Sequence, residues 1–126
     1  MPYGPILIVD DEPGNLSALR QVLGADYRLV FARSGAEALA AAAKHAPALI
    51  LLDIGMPDMT GYEVARAIRE TDWGRTTHLI AITGWGQAED KARASAAGFD
   101  QHLTKPVDPE KVEELLRDWV NGDATA

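Results

Sequence analysis

Leu49–Gly61, LILLDIGMPDMTG, is the stretch whose reading decides the fold. Its first four residues are apolar with no polar alternation. Such a run predicts a strand buried on both faces, the habit of a central strand in a parallel sheet. The run ends on a single carboxylate, Asp53, and passes into a loop carrying Pro57 and Gly61. In open parallel sheets, ligands and chemistry collect just beyond the carboxyl ends of the strands. Asp53 stands at that edge, so its meaning depends on what the other strands deliver beside it.

Working outward, four more apolar stretches alternate with helical patterns. Ile6–Val9 predicts a short buried strand ending at Asp10 and Asp11. A helix follows from Pro13 to Leu23, with Leu16, Leu19, Val22 and Leu23 at helical spacing and Gly24 as its stop. Tyr27–Ala32 reads as the second strand. Ser34 and Glu37 have the S-x-x-E form of a capping box, opening an alanine-rich helix to about His45 that Pro47 ends. After the organising strand, a helix is expected over Tyr62–Glu70, with Val64, Ala65 and Ile68 inward and Arg66 and Arg69 facing water. Thr71–Thr77 reads as a polar loop. Leu79–Ile82 is the fourth strand, ending at Thr83, and a helix over Ala88–Ala97 precedes Gly98, a suitable left-handed terminator. Phe99–Thr104 is the fifth strand and runs into Lys105 and Pro106. Asp108 and Pro109 then serve as N-cap and first residue of a last helix expected to bury Val112, Leu115, Leu116, Trp119 and Val120.

Five βα units with short connections imply an α/β fold, a doubly wound five-stranded parallel sheet with right-handed crossovers and helices on both faces. The expected strand order is the flavodoxin-like 2-1-3-4-5, whose switch point lies between strands 1 and 3. One domain spans residues 1–126, with its core at about 5–120 and a short tail at 121–126. The 126 residues contain no cysteine, which excludes a disulfide framework and thiolate metal sites and suits a reducing compartment. No apolar run approaches the roughly 20 residues of a membrane span, and the start lacks the shape of a signal peptide. A cytoplasmic protein without membrane insertion is expected. The formal net charge of −7 argues against direct nucleic-acid binding, which calls for clustered Lys and Arg.

The expected topology brings Asp10, Asp11 and Asp53 into one crevice. Crowded carboxylates hold on to protons unless a cation balances them. Mg²⁺ suits the task, since it takes hard oxygen ligands and needs only one or two carboxylates beside water and phosphate. Asp53 can then act as a nucleophile toward phosphorus, giving an aspartyl phosphate. Transfer of this kind calls chiefly for positioning and for cations against the phosphoryl oxygens. Lys105 at the end of strand 5 offers an ammonium, and Thr83 at the end of strand 4 offers a hydroxyl.

The chain resembles the receiver domains of two-component response regulators. The resemblance is carried by Ile6–Glu12, by Leu52–Pro57 with Gly61, by Ile80–Gly84 and by Leu103–Pro106, in the family's order from end to end. It implies that Asp53 accepts a phosphoryl group from a sensor histidine kinase or phosphotransfer domain. It also implies that Asp11 and Asp53 bind Mg²⁺ directly, Asp10 through water and Gly55 through its carbonyl, with Mn²⁺ able to substitute. Thr83 and Lys105 would contact the phosphoryl group, and the Lys105–Pro106 bond would be cis. The protein would be a signalling module rather than a turnover enzyme. It would promote its own phosphorylation and slow dephosphorylation, and switch its helix 4–strand 5–helix 5 face, with a phosphorylation-dependent homodimer as one form. The family's switch aromatic falls here at His102, an ionisable ring, so the usual coupling of Thr83 to an aromatic ring is altered. Trp85, between two glycines, is a candidate to line the mouth of the site.

Two other functions fit the same fold. An aspartyl-nucleophile phosphatase needs a second acid two residues beyond the nucleophile, where this chain has Gly55. A flavin carrier needs a Gly/Ser/Thr-rich phosphate loop after strand 1, where this chain has Asp-Asp-Glu-Pro. With only Asn121–Ala126 after the last helix, no effector domain is expected in this sequence. The residues around Thr83–Gln87 and Ala97–Asp100 look more like receivers of hybrid kinases.

Overall fold

A computed structural model of the protein describes residues 5–56, 58–84 and 88–121, with the side chains of 88–91 outside that description. Pro57, Trp85, Gly86, Gln87 and the tail from Gly122 therefore lie outside the described residues. Five strands form one parallel sheet: β1 (Ile6–Val9), β2 (Leu29–Ala32), β3 (Leu49–Asp53), β4 (His78–Thr83) and β5 (Gln101–Thr104). Their order is β2-β1-β3-β4-β5, as the alternation of units implied. β3 is central, with Leu49 in register with Ile6 on one side and His78 on the other. Between the strands run α1 (Pro13–Leu23), α2 (Gly35–His45), α3 (Gly61–Arg69) and α4 (Ala88–Ala97), and α5 (Pro109–Val120) closes the chain.

The unbroken apolar strands divide their side chains between two cores. Ile6, Ile8, Leu49, Leu51, Ile80 and Ile82 pack against Leu16, Leu19 and Leu23 of α1 and Val112 and Leu116 of α5. Leu7, Val9, Ile50, Leu52, Leu79 and Ala81 pack against α2, α3 and α4 through residues such as Ala38, Ala42, Val64, Ile68, Ala94 and Ala97. Each fully buried Leu or Ile contributes about 1.5–3 kcal/mol, so removing water from both faces is what fixes the layering.

Several boundaries differ from the sequence expectation. β2 begins at Leu29 and β5 at Gln101, because Tyr27 and Phe99 are buried as anchors ahead of the ladder rather than within it. α3 starts at Gly61, one residue early, behind a capping box. The Thr60 hydroxyl accepts from the Glu63 amide, and the Glu63 carboxylate accepts from the Thr60 amide. At α2, Ser34 accepts from the Glu37 amide, and the remaining amides of Gly35 and Ala36 donate to the Asp58 carboxylate at 3.0 and 3.1 Å. The segment read as a polar loop contains a 3-10 turn at Trp73–Arg75. Val120, the last residue of α5, is 41% exposed rather than buried.

The clearest departure is Arg69. Its side chain is only 21% exposed. The guanidinium donates to the carbonyls of Gly98, Gly74 and Thr77 at 2.6–2.9 Å and meets Asp100 at 2.9 Å. Gly98 ends α4 with φ +105°, and a Cβ there would lie 2.8 Å from Arg69 Cγ. A glycine is thus required twice over, by backbone conformation and by the arginine against it.

Candidate functional site

The switch point between β1 and β3 sets the site. β1 ends at Val9, so Asp10 is the first residue beyond it, while Asp53 is the last residue of β3. Both carboxylates are 1% exposed. Asp10 is held in place: one oxygen accepts from the Glu12 amide at 2.9 Å and the other from Asn15 Nδ2 at 3.1 Å. Burial pushes its carboxyl above the ordinary carboxylate range, and the nearby charge of Asp53 adds to that. The Glu12 and Asn15 hydrogen bonds oppose the rise without cancelling it. Asp11 is exposed beside them. Carboxylate oxygens of Asp10, Asp11 and Asp53 lie within 4.8 Å of one another.

Lys105 follows the end of β5 and reaches back across the rim, its Nζ 3.1 Å from each oxygen of Asp53. One Asp53 oxygen also accepts from the Gly55 amide at 3.0 Å. Thr83 closes β4, is 5% exposed, and accepts from the Lys105 amide through its carbonyl at 2.7 Å. The Lys105–Pro106 peptide is cis. Asp53, Gly55, Thr83 and Lys105 share the wall of one open cavity of about 430 Å³. Asp10 and Asp11 adjoin it through Asp53.

A hard divalent cation fits this donor set. Three carboxylates supply oxygens only, at a spacing one ion can bridge, and burial of two of them leaves a negative excess that Lys105 alone does not balance. His102 sits elsewhere: half-buried on β5 and paired with Ala81, it faces the α4 side of the sheet and does not line the cavity.

Three residues of the site were not picked out from the sequence. Asn15 lies in the first turn of α1, where a short amide can reach back to the strand end, a spacing from Asp10 that could have flagged it. Tyr62 and Arg93 line the cavity from α3 and α4. The Arg93 guanidinium lies 4.4 Å from the centre of the Tyr62 ring, and that ring meets Phe99 edge-on at 6.5 Å. Their approach is tertiary, with no local sequence signal.

Comparison with known proteins covers nearly the whole chain. The response regulator receiver domain family matches residues 6–117. The polar-differentiation response regulator DivK of Brucella anthropi is 32% identical over 120 residues, covering 94% of this chain and 97% of that protein. The chemotaxis protein CheY4 of Vibrio cholerae superposes with a TM-score of 0.85 at 32% identity, over 91% of this chain and 97% of that one. The receiver domain of the sensor histidine kinase PA1611 of Pseudomonas aeruginosa has a magnesium ion coordinated in its active site cleft. It superposes with a TM-score of 0.83 at 28% identity, over 94% of this chain and 98% of that one.

Proposed function

This chain belongs to the response regulator receiver domain family, and from that premise we propose that it is a phosphoacceptor whose Asp53 takes a phosphoryl group from a phosphohistidine donor. The donor is a sensor histidine kinase or a phosphotransfer domain. The observation that carries this reading is the meeting of Asp10, Asp11 and Asp53 within 4.8 Å beside a lysine 3.1 Å from Asp53.

Asp10, Asp11 and Asp53, with the carbonyl of Gly55, would hold Mg²⁺, for which Mn²⁺ can substitute. When bound, the ion would supply positive charge against the phosphoryl oxygens and against the crowded acids. The chain's own residues do the remaining work. Asn15 and the Glu12 amide fix Asp10, and the Gly55 amide orients Asp53. An Asp53 oxygen forms a bond to phosphorus as the P–N bond of the donor breaks. The imidazole leaves with that electron pair and takes up a proton from water. Lys105 then exchanges part of its grip on Asp53 for a phosphoryl oxygen, and the Thr83 hydroxyl donates to another. Movement of Thr83 and Lys105 passes the event to the α4–β5–α5 face, where a downstream protein reads it.

Incubation with Mg²⁺ and acetyl phosphate tests the proposal by intact-protein mass spectrometry. One acid-stable, base-labile phosphoryl adduct is expected, absent in Asp53→Asn and abolished by chelation of the divalent ion. Continuous release of phosphate at enzymatic rates would instead indicate a phosphatase, although Gly55 stands two residues beyond the nucleophile, where such an enzyme keeps the acid that serves its leaving group.

A further inference from the structure

Arg93 is a second cation on the wall of the Asp53 cavity, and the chemistry proposed above gives it no task. It is exposed, it belongs to α4, and its contact on the cavity side is the face of Tyr62. A cation over an aromatic face at an exposed position is held weakly. A guanidinium meeting a phosphoryl group forms charge-assisted, often paired hydrogen bonds that are far stronger.

The charges in the cavity favour such an exchange. Lys105 is already committed to both oxygens of Asp53, so its single positive charge offsets the nucleophile. An arriving phosphoryl group is dianionic and presents three equatorial oxygens. Arg93 is on hand at the cavity wall, its guanidinium carbon 4.4 Å from the centre of the Tyr62 ring.

We propose that Arg93 is a phosphoryl-binding residue of this site: it rests on Tyr62 when the cavity is free and shifts to the phosphoryl oxygens of a dianionic phosphodonor and of the aspartyl phosphate. The inference rests on Asp53 being the phosphoacceptor. It gives the site specificity for doubly charged phosphoryl groups. It also gives α4 a direct link to phosphorylation in a chain whose β5 carries His102 where the family has an aromatic ring.

The test is the rate of labelling by acetyl phosphate with Mg²⁺, followed by mass spectrometry for wild type, Arg93→Ala, Arg93→Lys and Asp53→Asn. At low ionic strength Arg93→Ala should label about tenfold more slowly, the loss expected for one charge-assisted contact to phosphate. The loss should fall on the half-saturating acetyl phosphate concentration. It should narrow as salt screens the exposed cation, and Arg93→Lys should restore most of the rate. Thermal unfolding of Arg93→Ala should stay within a few degrees of wild type, since the exposed cation–aromatic contact it loses is weak. Wild-type labelling by Arg93→Ala while Asp53→Asn stays unlabelled would overturn the role of Arg93 alone. So would a loss that neither salt nor the lysine alters. Labelling of Asp53→Asn at the wild-type rate would overturn the phosphoacceptor assignment and this inference together.

Discussion

Replacing Arg69 with alanine should destabilise the protein strongly while leaving the chemistry at Asp53 intact. The guanidinium donates twice to Gly98 O, at 2.9 and 2.7 Å, and once each to Gly74 O at 2.7 Å and Thr77 O at 2.6 Å. Its ion pair with Asp100 joins a side chain 21% exposed to one 43% exposed, and screening leaves such a pair about 0–1 kcal/mol. The carbonyl contacts matter more. Hydrogen bonds from a charged donor are worth about 1.5–3 kcal/mol each. Bonds made by one group are not additive, so the expected loss is about 3–4 kcal/mol, a large share of the 5–15 kcal/mol typical of a domain. For a chain of this size that lowers the melting temperature by about 10–15 °C. In urea the midpoint should fall with no change in slope. Arg69→Lys should recover less than half, because an ammonium has no planar fork to span carbonyls on two segments. The rate of acetyl phosphate labelling should hold. Arg69 grips the residues leading into β4 and β5, whereas Thr83 lies at the far end of β4, roughly 16 Å along the strand. A loss below about 1 kcal/mol would refute the reasoning, as would a folded variant that no longer labels.

Asp10 predicts a pH dependence. Its carboxyl is raised by burial, so between the ordinary value and the raised one the folded state holds more protons than the unfolded, and stability falls as pH rises through that window. Asp10→Asn should therefore melt higher than wild type at neutral pH without divalent ions, lose that advantage below pH 3.8, and gain less from added Mg²⁺. Asp58 works in the opposite sense: its carboxyl is lowered, first by the Gly35 amide, so its contribution is present above 3.8 and is lost as pH falls through the depressed value. Exchange of the Gly35 and Ala36 amides, read by hydrogen–deuterium exchange, should accelerate in Asp58→Ala. His102→Ala should leave acetyl phosphate labelling little changed while altering binding of a downstream partner, because the ring lies outside the cavity. A large loss of labelling in that variant would contradict this placement.

The layering and the acidic rim were legible because both are written locally. Leu49–Leu52 carries no polar residue, so it reads as buried on both faces, and strands that end on Asp53 and Thr83 or just before Asp10 and Lys105 deliver those side chains to one rim once the order is set. Arg69 was misread for the converse reason. Hydropathy places it on the wet side of α3, but its acceptors arrive from the Gly74–Thr77 turn and from Gly98, twenty-nine residues on. Tyr62 and Arg93 are a pair of the same kind. Tyr27 and Phe99 extended the strands in the sequence reading because an apolar pattern reports burial and not ladder pairing. The Thr60–Glu63 box, by contrast, follows the same rule as Ser34–Glu37 and was open to the same reading.

These tertiary contacts bear on how a signal leaves the site. α3 and α4 are joined by a guanidinium at each end, in opposite directions: Arg93 of α4 lies on Tyr62 of α3 beside the cavity, and Arg69 of α3 holds the Gly98 carbonyl where α4 ends. The two joints differ in strength. The one at the cavity is an exposed cation–aromatic contact of about 0.5–1 kcal/mol, and the one at the opposite rim is a set of short charge-assisted hydrogen bonds to a position where the arginine leaves room only for glycine. A load applied at the cavity therefore breaks the weak joint first. α4 would pivot about its Gly98 end, with its first turns travelling farthest. If Asp53 is the phosphoacceptor proposed above, the polarity of its switch would follow from which rim carries the weaker arginine contact, and would need no aromatic ring at position 102.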